Sequence, residues 1–273
     1  PKEISNLVPK ILETSTEKNP FIKLEYIKHP TLSELWLYGE FSLEFWKQVI
    51  EDLFSMIQKF RNYNKPVSKQ EYDAIYLEKT SNRIDELIQT NNFFKKIFEE
   101  DFIIINGKKL KNWKLMKDEI KDKINTMFNK EDNCLIHGDL YFSNILYDSE
   151  NKIYKLIDPR GKWGESTSGD IKYDIAKIRH SIVGGFDTIT NGLYSAEYLN
   201  DNKIEYKVFK SKNNQIVSTE LDCNIEKNWK LDEIKMIEGL LFISMLPLHS
   251  DNLERQLAFF CVGIERLNEI FGV

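Results

Sequence analysis

Three short apolar runs lie close together between Cys134 and Ile157, and polar residues follow each of them. Cys134-Leu135-Ile136 leads into His137-Gly138-Asp139. After Leu140, Tyr141, Phe142 and Ser143 comes Asn144, and the chain turns apolar again at Ile145-Leu146-Tyr147. Asp148, Ser149, Glu150 and Asn151 supply turn chemistry, and the alternating run Ile153 to Ile157 delivers Asp158. Strand-length runs bounded in this way read as strand, loop, strand, turn, strand. The polar groups then sit at strand ends, which brings Asp139, Asn144 and Asp158 toward one pocket.

An Asp, an Asn five positions on and an Asp at the end of the next hairpin suit phosphoryl transfer. A phosphoryl group in transit carries charge on several oxygens, so hard cations are needed beside it. Mg²⁺ takes one or two protein carboxylates and leaves its other positions to water and phosphate. In this reading Asp139 receives the acceptor hydroxyl, while Asn144 and Asp158 hold the metal. The spacing D-x-x-x-x-N followed by a strand-end Asp is the kinase arrangement.

His137 to Asn144, together with Asp158, resembles the aminoglycoside phosphotransferase and choline kinase superfamily, small-molecule relatives of the protein kinases. Those enzymes tend to carry Gly between the His and the Asp, as Gly138 does here. The runs IDPRG (157–161) and GDIKYDIAKIRHSI (169–182) resemble phosphotransferase domains of bacterial capsular and surface-polysaccharide biosynthesis proteins. The resemblance extends from about Phe21 to the C-terminus and is nearly silent on the acceptor. It implies a protein-kinase-like α+β fold, with residues 1–30 as a remnant of an N-terminal β lobe and hinge. Residues 31–273 would form a mostly helical C-terminal lobe, with the catalytic loop at 137–144 and the metal-binding segment at 157–161.

By the same resemblance, ATP and Mg²⁺ are the cofactors, with GTP as the alternative nucleotide, and Glu25, Tyr26 and Ile27 edge the adenine pocket. His137 and Asp174 brace the catalytic loop. Arg160 departs from the pattern, because many small-molecule relatives place an acid or an aromatic there. A guanidinium at that point either grips phosphate or an anionic acceptor, or closes a loop salt bridge, and it argues against a choline-like cation. Tyr141, Trp163 and Trp229 could line a pocket, although residues of this kind more often belong to core or rim.

Relatives carry a phosphate-covering Gly-rich loop and an ATP-anchoring Lys upstream. No such Gly-rich stretch precedes Asp139, since Gly39 and Gly107 stand alone, and the chain begins at Pro1. The expectation is a fused or missing N-terminal segment. Two other functions stay open at this point: a catalytically silent nucleotide-binding or scaffolding module, and a metal-dependent hydrolase. The second lacks the additional His or Asp ligands it would need.

Composition narrows the partners. Of 273 residues, 41% are hydrophobic and 30% charged, as in a globular protein with a large core. The net charge of −5, with Lys interleaved among acids, speaks against nucleic acid. Cys134, Cys223 and Cys261 are odd in number and far apart, which fits a reducing cytoplasm better than a disulfide framework. The longest strongly apolar stretch, 239–248, is broken by Ser244 and Pro247 and falls short of the ~20 residues of a membrane span.

Around these motifs the pattern predicts helices. Residues 1–20 read as a turn-rich lead and Phe21–Ile27 as a strand stopped by Pro30 and Thr31. Trp46, Val49, Ile50, Leu53, Phe54, Ile57 and Phe60 recur at helical spacing behind an N-cap at Ser42. Further helices are predicted over 68–90, 93–100, 112–128, 170–184, 231–247 and 252–271, the last capped by Ser250 or Asp251. Asn106-Gly107 marks a hairpin. Strands at 193–199 and 204–209 read as an insertion beside the acceptor site.

Overall fold

The computed structural model describes residues 2–161 and 166–272 as a mixed α+β fold in which helices predominate. Trp163 lies outside the described residues. The chain opens with α1 (Lys2–Ser5) and the antiparallel pair β1 (Ile11–Ser15) and β2 (Phe21–Leu24). This pair is thinly covered: Ile11, Leu12, Phe21, Ile22 and Leu24 all stay exposed. Helix α2 (Leu32–Tyr38) follows, where sequence patterning read only a break after Pro30. Thr31 and Glu34 close a capping box there, each satisfying the other's backbone amide.

Helix α3 (Leu43–Arg61) starts at Ser42, whose hydroxyl accepts the Phe45 amide, and buries the predicted apolar face. The predicted helix over 68–90 is continuous but changes pitch. α4 (Lys69–Asp73) passes through a π-turn at Ala74–Glu78 into α5 (Lys79–Thr90). Helix α6 (Asn92–Glu99), the hairpin β3 (Phe102–Ile105) and β4 (Lys108–Lys111), and α7 (Trp113–Met127) come next. The hairpin turns at Asn106 and Gly107, at φ 48° and 77°, the positive values of a type I′ turn.

The central stretch contains β5 (Asn133–Leu135), a 3₁₀ turn at Phe142–Asn144, β6 (Ile145–Asp148), β7 (Ile153–Leu156) and β8 (Ser168–Asp170). Strands β6 and β7 form the predicted hairpin, but β5 pairs with β8 instead of β6. That pairing is antiparallel and sets Asp170, the cap of α8 (Ile171–Ile182), opposite Asn133 at the start of β5. Every residue of α8 is buried, so it runs through the middle of the molecule.

The remaining elements are α9 (Phe186–Thr190), β9 (Tyr194–Tyr198), β10 (Lys203–Val208), α10 (Asn214–Glu226), α11 (Leu231–Met245), a 3₁₀ turn at Leu246–His249 and α12 (Leu253–Phe271). The cap of α12 is Asn252, whose side chain accepts the Arg255 amide, and not Ser250 or Asp251. Strands β9 and β10 are no separate insertion. β10 pairs in parallel with β3, giving one sheet in the order β4-β3-β10-β9 that packs on α12. Helix α10, absent from the sequence reading, packs on α3 and α8. No helix of the described residues is long and apolar enough to cross a membrane.

Two buried polar networks tie these helices together. Arg179 on α8 meets Asp222 on α10 at 2.8 Å and also bonds Glu238 on α11. The Lys172 ammonium lies 3.0 Å from Glu233, 3.6 Å from Asp132 and 3.9 Å from Asp170, and donates to the Met127 carbonyl at 2.8 Å.

Candidate active site

The loop after β5 hangs from one face of α8. Asp174 is fully buried, and its two carboxylate oxygens accept the amides of His137 at 2.7 Å and Gly138 at 2.8 Å. One turn on, the Lys177 ammonium bonds Asp139 Oδ1 at 2.8 Å. One further turn on, the Ser181 hydroxyl accepts the Phe142 amide at 3.0 Å. Positions 174, 177 and 181 share a helix face, so a single buried element fixes the loop backbone and its carboxylate.

Other contacts close the loop on itself. Gly138 takes φ 78°, a value that costs a residue with a Cβ, and this turns the chain out of β5 toward Asp139. Asn144 donates its side-chain amide to the Asp139 carbonyl at 3.0 Å and lies 3.4 Å from Asp139 Oδ2. Ser143 donates to Asp187 at 2.7 Å, and Phe142 packs into an aromatic group with Trp36 and Trp46. His137 bridges to the next strand. Its Nε2 lies 3.0 Å from the Ile157 carbonyl, which can only accept, so Nε2 carries the proton and Nδ1 accepts the Asp139 amide at 3.3 Å. Burial lowers the pKa of this imidazole and holds it neutral, which suits a brace better than a proton carrier.

The β6–β7 hairpin folds its two ends together. Its turn is held by Asp148, which accepts the amides of Glu150 and Asn151, and at its open end the Ile157 amide donates to the Asn144 carbonyl at 3.0 Å. Asp158 comes next, at φ 53°, a left-handed conformation for a residue with a Cβ. Asp158 and Asp139 line one cavity of about 450 Å³, together with Tyr141, Arg160 and Lys177. Asn144 is buried just behind that wall.

The donor set at this point suits a hard cation only in part. Among the described residues no group of three or more His, Cys, Asp or Glu side chains could cage a metal. Asp158 makes no hydrogen bond to another described residue, and Asn144, with its NH₂ turned to Asp139, has an amide oxygen left to coordinate. One carboxylate and one amide oxygen fit Mg²⁺ that takes its remaining ligands from phosphate and water.

The N-terminal segment is stitched to the same hairpin. The Leu7 carbonyl accepts the Leu156 amide, the Pro30 carbonyl accepts the Tyr147 amide, and Lys155 donates to the Asn6 carbonyl. Within the segment assigned to the adenine, the Glu25 amide is already committed to the Lys10 carbonyl at 2.8 Å, and its carboxylate accepts the Lys10 amide. Tyr26 is 89% exposed, and Ile27 is half-buried. Trp229 belongs to the core, where it donates to Asp132 at 3.2 Å.

The cavity also holds residues that sequence patterning passed over. Lys79 and Arg83 reach it from α5, Lys177 and Tyr173 from α8, Phe186 from α9, and Leu241, Ser244 and Met245 from α11. The signal for Lys177 was present, as a lysine three positions after Asp174 and so on the same face of the helix.

No family model matches the chain, and no curated protein matches it. Among solved structures, it is similar to an aminoglycoside-3'-phosphotransferase of type VIII, at 14% identity and a TM-score of 0.40. The match covers 97% of this chain and 76% of that one. At that level the likeness adds nothing to the geometry, and the reading of the site rests on its own residues.

Proposed function

We propose that this protein is a phosphotransferase that moves the γ-phosphoryl group of a nucleoside triphosphate onto a hydroxyl of a small molecule. ATP is the nucleotide favoured by the sequence resemblance, with GTP as its alternative. A sugar or surface-polysaccharide precursor as acceptor rests on the 157–161 and 169–182 motifs alone. The observation that carries the reading is the pair of carboxylates on one cavity wall. Asp139 is clamped by Lys177 and Asn144, while Asp158 is open to the cavity.

In the transfer, the acceptor oxygen forms a bond to the γ-phosphorus as the bond from that phosphorus to the β–γ bridging oxygen breaks. The bridging oxygen keeps the electron pair and leaves with the diphosphate. The hydroxyl proton passes to the Asp139 carboxylate. Asn144 and Asp158 would hold Mg²⁺, which neutralises charge on the phosphate oxygens. Lys177 keeps the carboxylate aimed, and Asp174 keeps its backbone in place, so most of the rate comes from positioning and fixed charge.

The test is γ-labelled ATP with Mg²⁺ and a panel of hydroxyl compounds, with the label followed into product. Asp139→Ala and Asp158→Ala should each lower transfer roughly a hundred- to ten-thousand-fold with unchanged circular dichroism. Undiminished transfer in either variant overturns the mechanism. Nucleotide binding without transfer to any acceptor favours the silent module.

A further inference from the structure

The charge of the cavity points to its occupant. Among the described residues, four cationic side chains line it (Lys79, Arg83, Arg160 and Lys177), against two carboxylates, Asp139 and Asp158. Both carboxylates already have work in the proposed chemistry, one toward the hydroxyl and one toward the metal, so no carboxylate of the described wall is left to receive an amine. We propose that the acceptor is an acidic hydroxyl compound, a sugar-sized molecule carrying a carboxylate or phosphate that Lys79 and Arg83 grip while its hydroxyl faces Asp139. The proposal rests on the phosphotransfer reading for its orientation, but the recognition of an anion does not need it.

The two gripping residues are built for this. Lys79 and Arg83 lie one turn apart on α5 and face the same way. The π-turn at Ala74–Glu78 ends at Lys79 and sets where that face points, a device frequent at functional sites. Arg83 gives one N–H to the Ser244 carbonyl at 2.9 Å, which anchors the guanidinium and leaves its other donors for a planar oxyanion. Lys79 donates to the Tyr173 hydroxyl at 2.9 Å and has further ammonium protons. Phe186, Leu241, Met245 and Leu248 supply apolar surface of the kind that a sugar ring or short carbon chain covers.

The cations also act on one another. Burial lowers the pKa of Lys79, and Lys177 and Arg160 depress it further. Burial likewise lowers that of Arg83, with Arg160 adding to the effect. Burial should raise the Tyr173 phenol, yet Lys79, Lys177 and Arg160 outweigh it and bring it below its ordinary value. Like charges gathered in a half-enclosed space repel, and an entering anion relieves that repulsion. A neutral sugar gains nothing from this field, and an aminated one is repelled by it.

The experiment uses the full chain without nucleotide or Mg²⁺, titrated with four size-matched probes: glucose, glucosamine, glucuronate and glucose 6-phosphate. Glucuronate or glucose 6-phosphate should bind at least tenfold tighter than glucose, with affinity falling as salt is raised, and glucosamine should bind worst. Which of the two anions wins separates a carboxylate acceptor from a phosphorylated one. Arg83→Gln and Lys79→Met should each weaken the anion tenfold to a hundredfold, and Arg83→Lys should recover part of the loss. Equal binding of glucose, preference for glucosamine, or no binding by either anion overturns the inference. So does an effect of both substitutions on the KM for ATP alone, which would give the cluster to the nucleotide. Anion binding without any phosphoryl transfer would leave the inference standing and remove the phosphotransfer reading.

Discussion

Asp174→Asn separates the stability of this protein from the geometry of its loop. The wild-type carboxyl is buried completely, and burial pushes it up to about 7 from its ordinary 3.8, against the pull of the His137 and Gly138 amides. A carboxyl raised on folding contributes most below its unfolded value, and that contribution is lost as pH rises through its folded value. At 1.36 kcal/mol per pKa unit, wild type should lose about 3 kcal/mol through this group between about pH 5 and about pH 8. Asn has no such titration. Asp170, which burial raises to about 6, is present in both proteins, so its own titration is common to them.

The difference in melting temperature should therefore move in favour of the variant as pH rises, by roughly 6–12 °C across that range. The loop should respond in the opposite sense. One Asn oxygen can accept one of the two amides, and its NH₂ faces the other, leaving a buried donor unpaired. Amide exchange over 134–144 should quicken and transfer should fall, because a displacement of ~1 Å can cost a hundredfold in rate. Thermal unfolding at about pH 5, 6, 7 and 8, with exchange measured alongside, checks both halves. A melting difference that stays flat, or that turns against the variant as pH rises, would refute the reasoning.

Lys172→Met should destabilise the fold by about 3–5 kcal/mol in urea titration, because it leaves Asp132, Asp170 and Glu233 buried around an absent charge. Lys177→Met removes the clamp on Asp139 Oδ1, and kcat should fall about tenfold or more while the KM for nucleotide holds. In native protein a thiol reagent should modify Cys223 alone. Cys134 and Cys261 are buried, and burial raises both thiols, so they should react only after unfolding.

The two hairpins and the start of α8 were legible because each carried its own punctuation, Asn106-Gly107, Asp148 to Asn151 and the Asp170 cap, whereas β8 read as a polar loop. Helix α2 escaped because Pro30 and Thr31 read as a stop, although Thr31 and Glu34 already spelled a capping box. The β3–β10 pairing could not be read at all, since nothing local to either strand names a partner about a hundred residues away. Lys79 and Arg83 were hidden for the same reason. On α5 they look like ordinary surface cations, and only the packing of α5 on α11 turns them into a cavity.

What makes the site chemically plausible is the number of constraints that one helix supplies. A loop between two short strands would ordinarily be the loosest part of such a molecule. Here the loop's amides at 137, 138 and 142 and its carboxylate at 139 all terminate on α8, through Asp174, Ser181 and Lys177. That helix is itself pinned by Lys172 near its first turn and Arg179 near its last, each in a buried ionic network. Displacing Asp139 therefore requires either breaking the Lys177 ion pair together with the buried Asp174 bonds to the loop amides or moving a helix buried on every side. Asp158 is held differently, by a left-handed backbone at the open end of a two-stranded hairpin. Asp139, the more heavily braced of the two, is the one proposed to orient the hydroxyl, and Asp158, which bonds no other described side chain, is the one proposed for the metal.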